Sequence, residues 1–562
     1  MRNKILRLSS LLVCGMLVLS ETYGETMEPS RGWPISGTPV LQERMRGLVE
    51  FYKKPTLPQK KPIEWKVGQK DTLWAYDFSN SSHYQVPATC RAVGQHCYIL
   101  VEDSAWTNRV DSVAVAGLVK AFDQSCEADP HKGIYQMDVE TFGNPPDPGV
   151  DGDPRIFILL LDIKDDCRED GTYYGGYFYS LNEYDTGTPD CRDCQYSNFR
   201  EMFYVDCNPL DVKSESAKGV LAHEFQHLIH WGKDPKEKNW VNEGCSGYAE
   251  YVCGYRSRRV GDHFLANPNN SLIDWIGTFA DYEQTFMFIA YLAEHYGGRQ
   301  TIKELVAEGR NGIAGVNEVL KTKVADFTSL FADWVIANYL DNGGVYGYQM
   351  FDLPTYKIPT TQITSLPDTL WEAQPRLEHW AAEYIELPTV AGIEMEFRKG
   401  VDSNFLLQVI KKVKGVTSVI DFSSTGSLST SGYDTLTLVV VRTAGRPYPY
   451  QCIFNELPNW VELAEIETLP GKFLLGQNFP NPFNATTTIT FSLPAATFVI
   501  LDIFNSGGQR VRRLVSTELG PGQWNVGWDG RDAQGRDLAS GIYFYRLQAG
   551  GYTQTRQMIL LK

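Results

Sequence analysis

The sequence predicts an α+β domain, a mixed sheet joined to a helical subdomain, followed by two all-β sandwich units. Three observations carry this. RIFILLLDI at 155–163 is a nearly continuous apolar run, as a strand covered on both faces would be. Segments between 214 and 342 repeat apolar residues at helical spacing. From about 376 the apolar period drops to two, in short runs separated by Gly, Ser, Asp and Pro turns.

In chain order, residues 1–24 have the form of a secretory signal peptide. Arg2, Lys4 and Arg7 precede the apolar run Leu8–Leu19, and Thr22 and Gly24 are the small residues before a cut. A dozen apolar residues are too few for a bilayer core that takes roughly 20. Val13 before Cys14 argues against lipoprotein cleavage. No other stretch is long and apolar enough to span, so the mature chain is expected to be exported, without a transmembrane segment. Residues 25–70 are rich in Pro, Lys and Arg and weakly periodic, fitting a propeptide or an N-terminal arm equally.

The first full domain is expected at 71–345. HCYILVED (96–103) reads as a strand and RVDSVAVAGLVKAFDQ (109–124) as a helix. YYGGYFYSLNEY (173–184) is a more polar, aromatic strand suited to a sheet edge. Helices follow at 214–232, 240–254, 281–298 and 326–342, the third stopping at Gly297-Gly298. WAAEYIEL, IEMEFRK, FLLQVIKK, TLTLVVVRT and YQCIFNEL make a β-sandwich over 346–460. A Pro-bearing linker near 457–472 leads to a last all-β unit, 471–562.

A formal net charge of −16, with no Lys/Arg-rich block, excludes nucleic acid as the main partner. Eleven cysteines agree with export, and in an oxidising compartment most are expected as disulfides. Cys191-Arg-Asp-Cys194 looks like half a zinc knuckle, but no second pair completes it, leaving a disulfide or an exposed loop. Cys90 with Cys97 is a plausible local pair. Asp147, Asp151 and Asp153 offer Ca²⁺ ligands, or simply a solvated loop before a strand.

The densest chemistry lies in HEFQHLIH (223–230), which holds three of the nine histidines. On a helix, residues four apart share a face, so His223 and His227 can aim at one ion. Glu224 then sits beside the metal, where a carboxylate can take a proton from an activated water. Chance would produce His-Glu-x-x-His in about one such chain per hundred. A catalytic Zn²⁺ takes three protein ligands and an open position. Continuation to His-x-x-Gly-x-x-His fails, because His230 and Lys233 stand where Gly and His are required. WVNEG instead offers Glu243, sixteen positions beyond His227. Glu250 is either an outer acceptor for a ligand imidazole or a solvated glutamate, and His230 a partner or cap. Tyr282 and His295 are the candidate oxyanion donors.

SNFREMFYVDCNPLD, AHEFQHLIHW, NWVNEGCSGYAEY and YLAEHYGG resemble the hyicolysin-like secreted gluzincin metallopeptidases, over roughly residues 75–345. That resemblance implies a zincin-like fold, one catalytic Zn²⁺ on His223, His227 and Glu243, Glu224 as general base, and Tyr282 on the oxyanion. It also implies a peptide held on an edge strand, for which YYGGYFYSLNEY is the candidate. Many gluzincins carry an acidic residue four positions after the ligand glutamate; here that position is Gly247, so the outer shell must be built differently. LGQNFPNPFNATTTITFSLP and WDGRDAQGRDLASGIYFYRLQAGG resemble a C-terminal sorting domain of the type IX (Por) secretion pathway, a FlgD-like immunoglobulin-type sandwich. The expected protein is a secreted or surface zinc endopeptidase with protein or peptide substrates and the outer-membrane secretion machinery as partner. A non-catalytic adhesion protein on the same fold and a zinc aminopeptidase are its rivals.

Overall fold

The computed structural model of the chain describes residues 34–562 apart from 52–63, 166–170, 190, 258, 324, 355–357, 364–368, 373–375, 389–392, 399–403, 414, 423–424, 429–433, 457–460, 465–469, 485 and 534–535. The expected signal peptide, and Cys167, lie outside the described residues.

The first sheet among the described residues has seven strands: β1 (Pro34–Ser36), β2 (Lys70–Asp77), β3 (Ser82–Val93), β4 (Cys97–Glu102), β5 (Ile156–Leu161), β6 (Tyr173–Phe178) and β7 (Met202–Asp206). Their order is β1-β6-β7-β5-β4-β3-β2. β5 pairs in parallel with β4 and β7, whereas β6 runs antiparallel to β7, so the sheet is mixed. All six residues of β5 are buried, as its apolar run requires of a strand with both faces covered. Alternate residues serve two cores. Ile99, Val101, Ile156 and Ile158 face the helices, while Tyr98, Leu100, Phe157 and Leu159 face a smaller cluster holding Leu41, Met45 and Trp65.

The helices are α1 (Thr38–Phe51), α2 (Ser112–Asp123), α3 (Ile134–Phe142), α4 (Glu215–Lys233), α5 (Asn239–Val252), α6 (Phe279–His295), α7 (Arg299–Ala307), α8 (Ile313–Leu320) and α9 (Phe327–Leu340). Side-chain caps set several starts. Asp111 accepts from the Ala114 N–H at 2.8 Å, Ser214 from Ala217 at 3.2 Å and Asp326 from Ser329 at 2.7 Å.

Two expectations need correction. YYGGYFYSLNEY is not one edge strand: β6 stops at Phe178, and Ser180–Glu183 form a 3₁₀ turn. Nor is β6 an edge, because β1 pairs along its outer side. Cys90 and Cys97 are both free and buried, on opposite faces of the sheet, so they cannot bond. Cys191 and Cys194 do form a disulfide.

Beyond α9, among the described residues, sheets of five and four strands form one sandwich, and two sheets of four strands form the last unit. Val461–Ala464, inside the stretch read as a linker, pairs with Gly522–Trp528 of that unit. The first sandwich docks on the helices through Ala382, Tyr384, Val439 and Val441, and the Tyr384 hydroxyl donates to the Val335 carbonyl at 2.7 Å.

Candidate metal centre

α4 and α5 pack side by side and supply every residue of the cluster. His223 and His227 stand one turn apart on α4, and Glu243 lies in the first half of α5. One ligand atom from each falls within 4.8 Å of the others, and all three residues are buried. Glu243 places one carboxylate oxygen 3.1 Å from His223 Nε2 and the other 3.1 Å from His227 Nε2. Ligands near 2.05 Å from Zn²⁺ at a tetrahedral angle stand about 3.3 Å apart. Glu243 therefore fits the two imidazoles as a shared tetrahedral ligand set.

The far side of each imidazole sets its orientation. His223 Nδ1 lies 2.7 Å from a Glu250 oxygen, and His227 Nδ1 lies 3.1 Å from Asn242 Oδ1. Both neighbours are acceptors, so each Nδ1 donates there and each Nε2 is turned toward Glu243, the side on which a metal would be held. Glu250 thus supplies the outer carboxylate that Gly247 cannot. It is itself held by Arg256, whose Nη1 donates to the second oxygen at 3.1 Å. Burial acts to raise the Glu250 pKa, but Arg256 and His223 outweigh it and the group is held below the usual glutamate range. Glu243 behaves alike: burial opposes its charge, the two histidines overcome it, and its pKa falls to about 2.

Glu224 is buried beside this cluster, and burial raises its pKa, the direction that suits a proton acceptor. One oxygen accepts from the Thr38 hydroxyl at 2.9 Å. β6 passes close by at Gly176, where a Cβ would sit 2.6 Å from Val220 Cγ1 and 3.0 Å from Glu224 Cγ. The Gly-Gly pair in YYGGYF is what lets the strand approach α4 there.

His230 is not a ligand. It is buried, its Nδ1 lies 3.2 Å from Gln226 Nε2, and burial drives its pKa down to about 3. Tyr282 lines the cleft with His223 and Glu224, and its hydroxyl donates to the Ser36 carbonyl at 2.9 Å. His295 lies thirteen residues further along α6, about 20 Å at 1.5 Å per residue, and its Nε2 meets the Gly347 carbonyl. The cleft measures about 550 Å³ and is lined also by Tyr255, Val260 and His263.

Sequence reasoning missed Ser36, Thr38 and Asn242. Asn242 was legible in NWVNEG, adjacent to the ligand glutamate; Ser36 and Thr38 carried no signal because they meet the cleft only through the sheet. The calcium expectation gains no cluster. Asp153 accepts from the Tyr98 hydroxyl and Arg155 N–H, Asp151 accepts from Asp153 N–H, and the histidine–glutamate set is the metal-like group among the described residues.

Residues 478–552 match the family model of the FlgD Ig-like domain. The chain is 30% identical over 197 residues to the neutral metalloprotease ShpI of Staphylococcus hyicus, covering 31% of this chain and 42% of that protein. It therefore spans less than half the length of that relative. Solved structures of PorZ and of dimeric latent PorU, both from Porphyromonas gingivalis, match at 20% and 13% identity. They cover 16% and 37% of this chain, and 11% and 19% of theirs. With TM-scores of 0.12 and 0.14 they carry no argument about this chain. Among the described residues no helix is long and apolar enough to cross a membrane. The buried His-His-Glu set is compatible with zinc, and the likeness to a neutral metalloprotease supports metallopeptidase function at the level of the family.

Proposed function

We propose that the chain is a secreted zinc endopeptidase acting on proteins or peptides. The observation that carries this is the convergence of His223 Nε2, His227 Nε2 and Glu243, with the buried Glu224 beside them at a cleft of about 550 Å³. A zinc ion bound there supplies a Lewis acid that lowers the pKa of water toward neutrality and polarises a substrate carbonyl. Glu224 takes the proton of the attacking water and returns it to the leaving amine. Glu250 and Asn242 keep the two imidazoles in the tautomer and orientation that metal binding needs. Tyr282 donates its hydroxyl proton toward the developing oxyanion, a position supported by the carbonyl it already holds. The last all-β unit would serve as a type IX secretion sorting domain, consistent with the FlgD Ig-like match.

Glu224→Ala is the test. The variant is expected to retain one zinc by elemental analysis while casein cleavage falls about 10²–10⁴-fold, the range for losing a general base. Unchanged cleavage would refute the assignment. Digesting blocked and unblocked peptides in parallel separates an endopeptidase from an aminopeptidase.

A further inference from the structure

We infer that Cys126 and Cys253 close into a disulfide by exchange with a small-molecule disulfide, clamping the C-terminal end of α5 to the loop between α2 and α3. The bond is independent of the catalytic assignment: it forms, or fails to form, whatever the cleft does.

The structure holds the two residues as buried thiols in one core cluster, although about 130 residues of chain lie between them. Backbone contacts fix the approach from both sides. The Ala128 N–H donates to the Cys253 carbonyl at 3.1 Å, and the Cys253 N–H donates to Ala249, closing the last turn of α5. The Cys126 N–H donates to the Lys132 carbonyl at 2.8 Å and to the Asp129 carbonyl at 3.0 Å, which folds the facing loop on itself. Gly254 has φ +84°, and a Cβ there would lie 2.7 Å from the Ala128 nitrogen and 3.0 Å from Glu127 Cβ. Glycine after Cys253 is what lets the loop come this close. The Cys253 thiol donates to the Cys126 sulfur, so the two sulfurs face each other. Cys253 Sγ also reaches Asp138 Oδ1 on α3 at 3.6 Å.

The surroundings of the two thiols set the order of events. The hydrogen bond from Cys253 draws the Cys126 pKa down to about 6, so that sulfur is largely thiolate at neutral pH. Giving that bond, together with burial, pushes Cys253 well above the ordinary thiol value. Cys126 also keeps 7% of its surface exposed, against none for Cys253. Cys126 is therefore the first to attack, on a small disulfide such as glutathione disulfide. The S–S bond of that reagent breaks, one glutathione thiolate leaves and a mixed disulfide forms. Cys253 then attacks the Cys126 sulfur and releases the second glutathione, which departs with the Cys253 proton. Two protein thiols are oxidised, and one glutathione disulfide is reduced to two thiols. α5 carries Asn242, Glu243 and Glu250, so a covalent anchor at its end restrains the proposed ligand and both orienting groups.

The test equilibrates the full chain with glutathione disulfide, alkylates the remaining thiols in denaturant and identifies linked peptides by mass spectrometry. A reduction-sensitive Cys126–Cys253 peptide pair is expected, with neither residue alkylated. The inference is overturned if both are alkylated while Cys191–Cys194 is linked in the same digest, or if Cys126 is linked to another cysteine. Thermal melting reads the clamp. A phosphine reductant is expected to lower the parent Tm about 5–15 °C more than that of the Cys126→Ser/Cys253→Ser double variant, from which the pair is already absent. Equal shifts would overturn the clamp even with the bond present.

Discussion

Replacing Glu250 tests whether the outer carboxylate, rather than the ligands alone, sets metal affinity. Its oxygen lies 2.7 Å from His223 Nδ1, a contact between an ionised acceptor and a ring N–H. Such charge-assisted bonds contribute about 1.5–3 kcal/mol. Losing the outer partner of a metal-bound histidine costs about 10–100-fold in affinity or activity, or about 1.4–2.7 kcal/mol. The two estimates agree. Glu250→Gln keeps an acceptor for Nδ1 but not its charge, so zinc affinity is expected to fall about tenfold. Glu250→Ala removes the acceptor and leaves Arg256 without that carboxylate, for about 100-fold. Competition with a chromophoric chelator at pH 7.5 reads both. Glu250→Ala that holds zinc within about twofold of the parent, with kcat unchanged, would show that His223 is oriented by packing alone.

Three further outcomes follow from the geometry. Tyr282→Phe is expected to lower kcat about 10²-fold with zinc content and KM nearly unchanged; an unaltered kcat would make it a packing residue against Trp275, whose ring lies 4.8 Å away. Gly244→Ala adds a Cβ 2.6 Å from Ile289 Cγ1 and 2.7 Å from the Thr285 carbonyl, so α5 must shift, at about 1–3 kcal/mol. A lower Tm together with weaker zinc binding is expected, and a parental Tm would count against that close contact. His230 has its folded pKa depressed to about 3, so its contribution is present above the ordinary histidine value of about 6.5 and is lost as pH falls below it. By pH 5 the loss is about 2 kcal/mol, so the stability gap between metal-free parent and His230→Gln should narrow by that amount from pH 7.5 to 5 in urea unfolding. A gap independent of pH would mean that His230 takes up its proton without unfolding.

How far the chain could be read in advance depended on how local each feature is. His223, Glu224 and His227 are four-residue helical geometry, legible from letters alone, and β5 announced itself because both faces are apolar. Glu243 needed only the next helix. Glu250 was left undecided, since whether a glutamate seven residues on reaches an imidazole depends on how α5 lies on α4. β1 and α1 escaped because a three-residue strand has no period to read, and α1 follows it with scattered apolar positions. β6 was misjudged for the same reason: aromatic and glycine content suggested an exposed edge, but the strand is buried by α4 on one side and extended by β1 on the other. α3 is short and sits between Gly133 and Gly143, which read as loop.

β1 bears also on how copies of the chain behave toward one another. Without it, β6 would present a row of unsatisfied main-chain N–H and C=O groups along its open side, the template on which strands of neighbouring molecules add. With β1 in place, β6 is an interior strand whose outer ladder is already satisfied. The three-residue cover therefore also removes a ladder on which a second copy could pair.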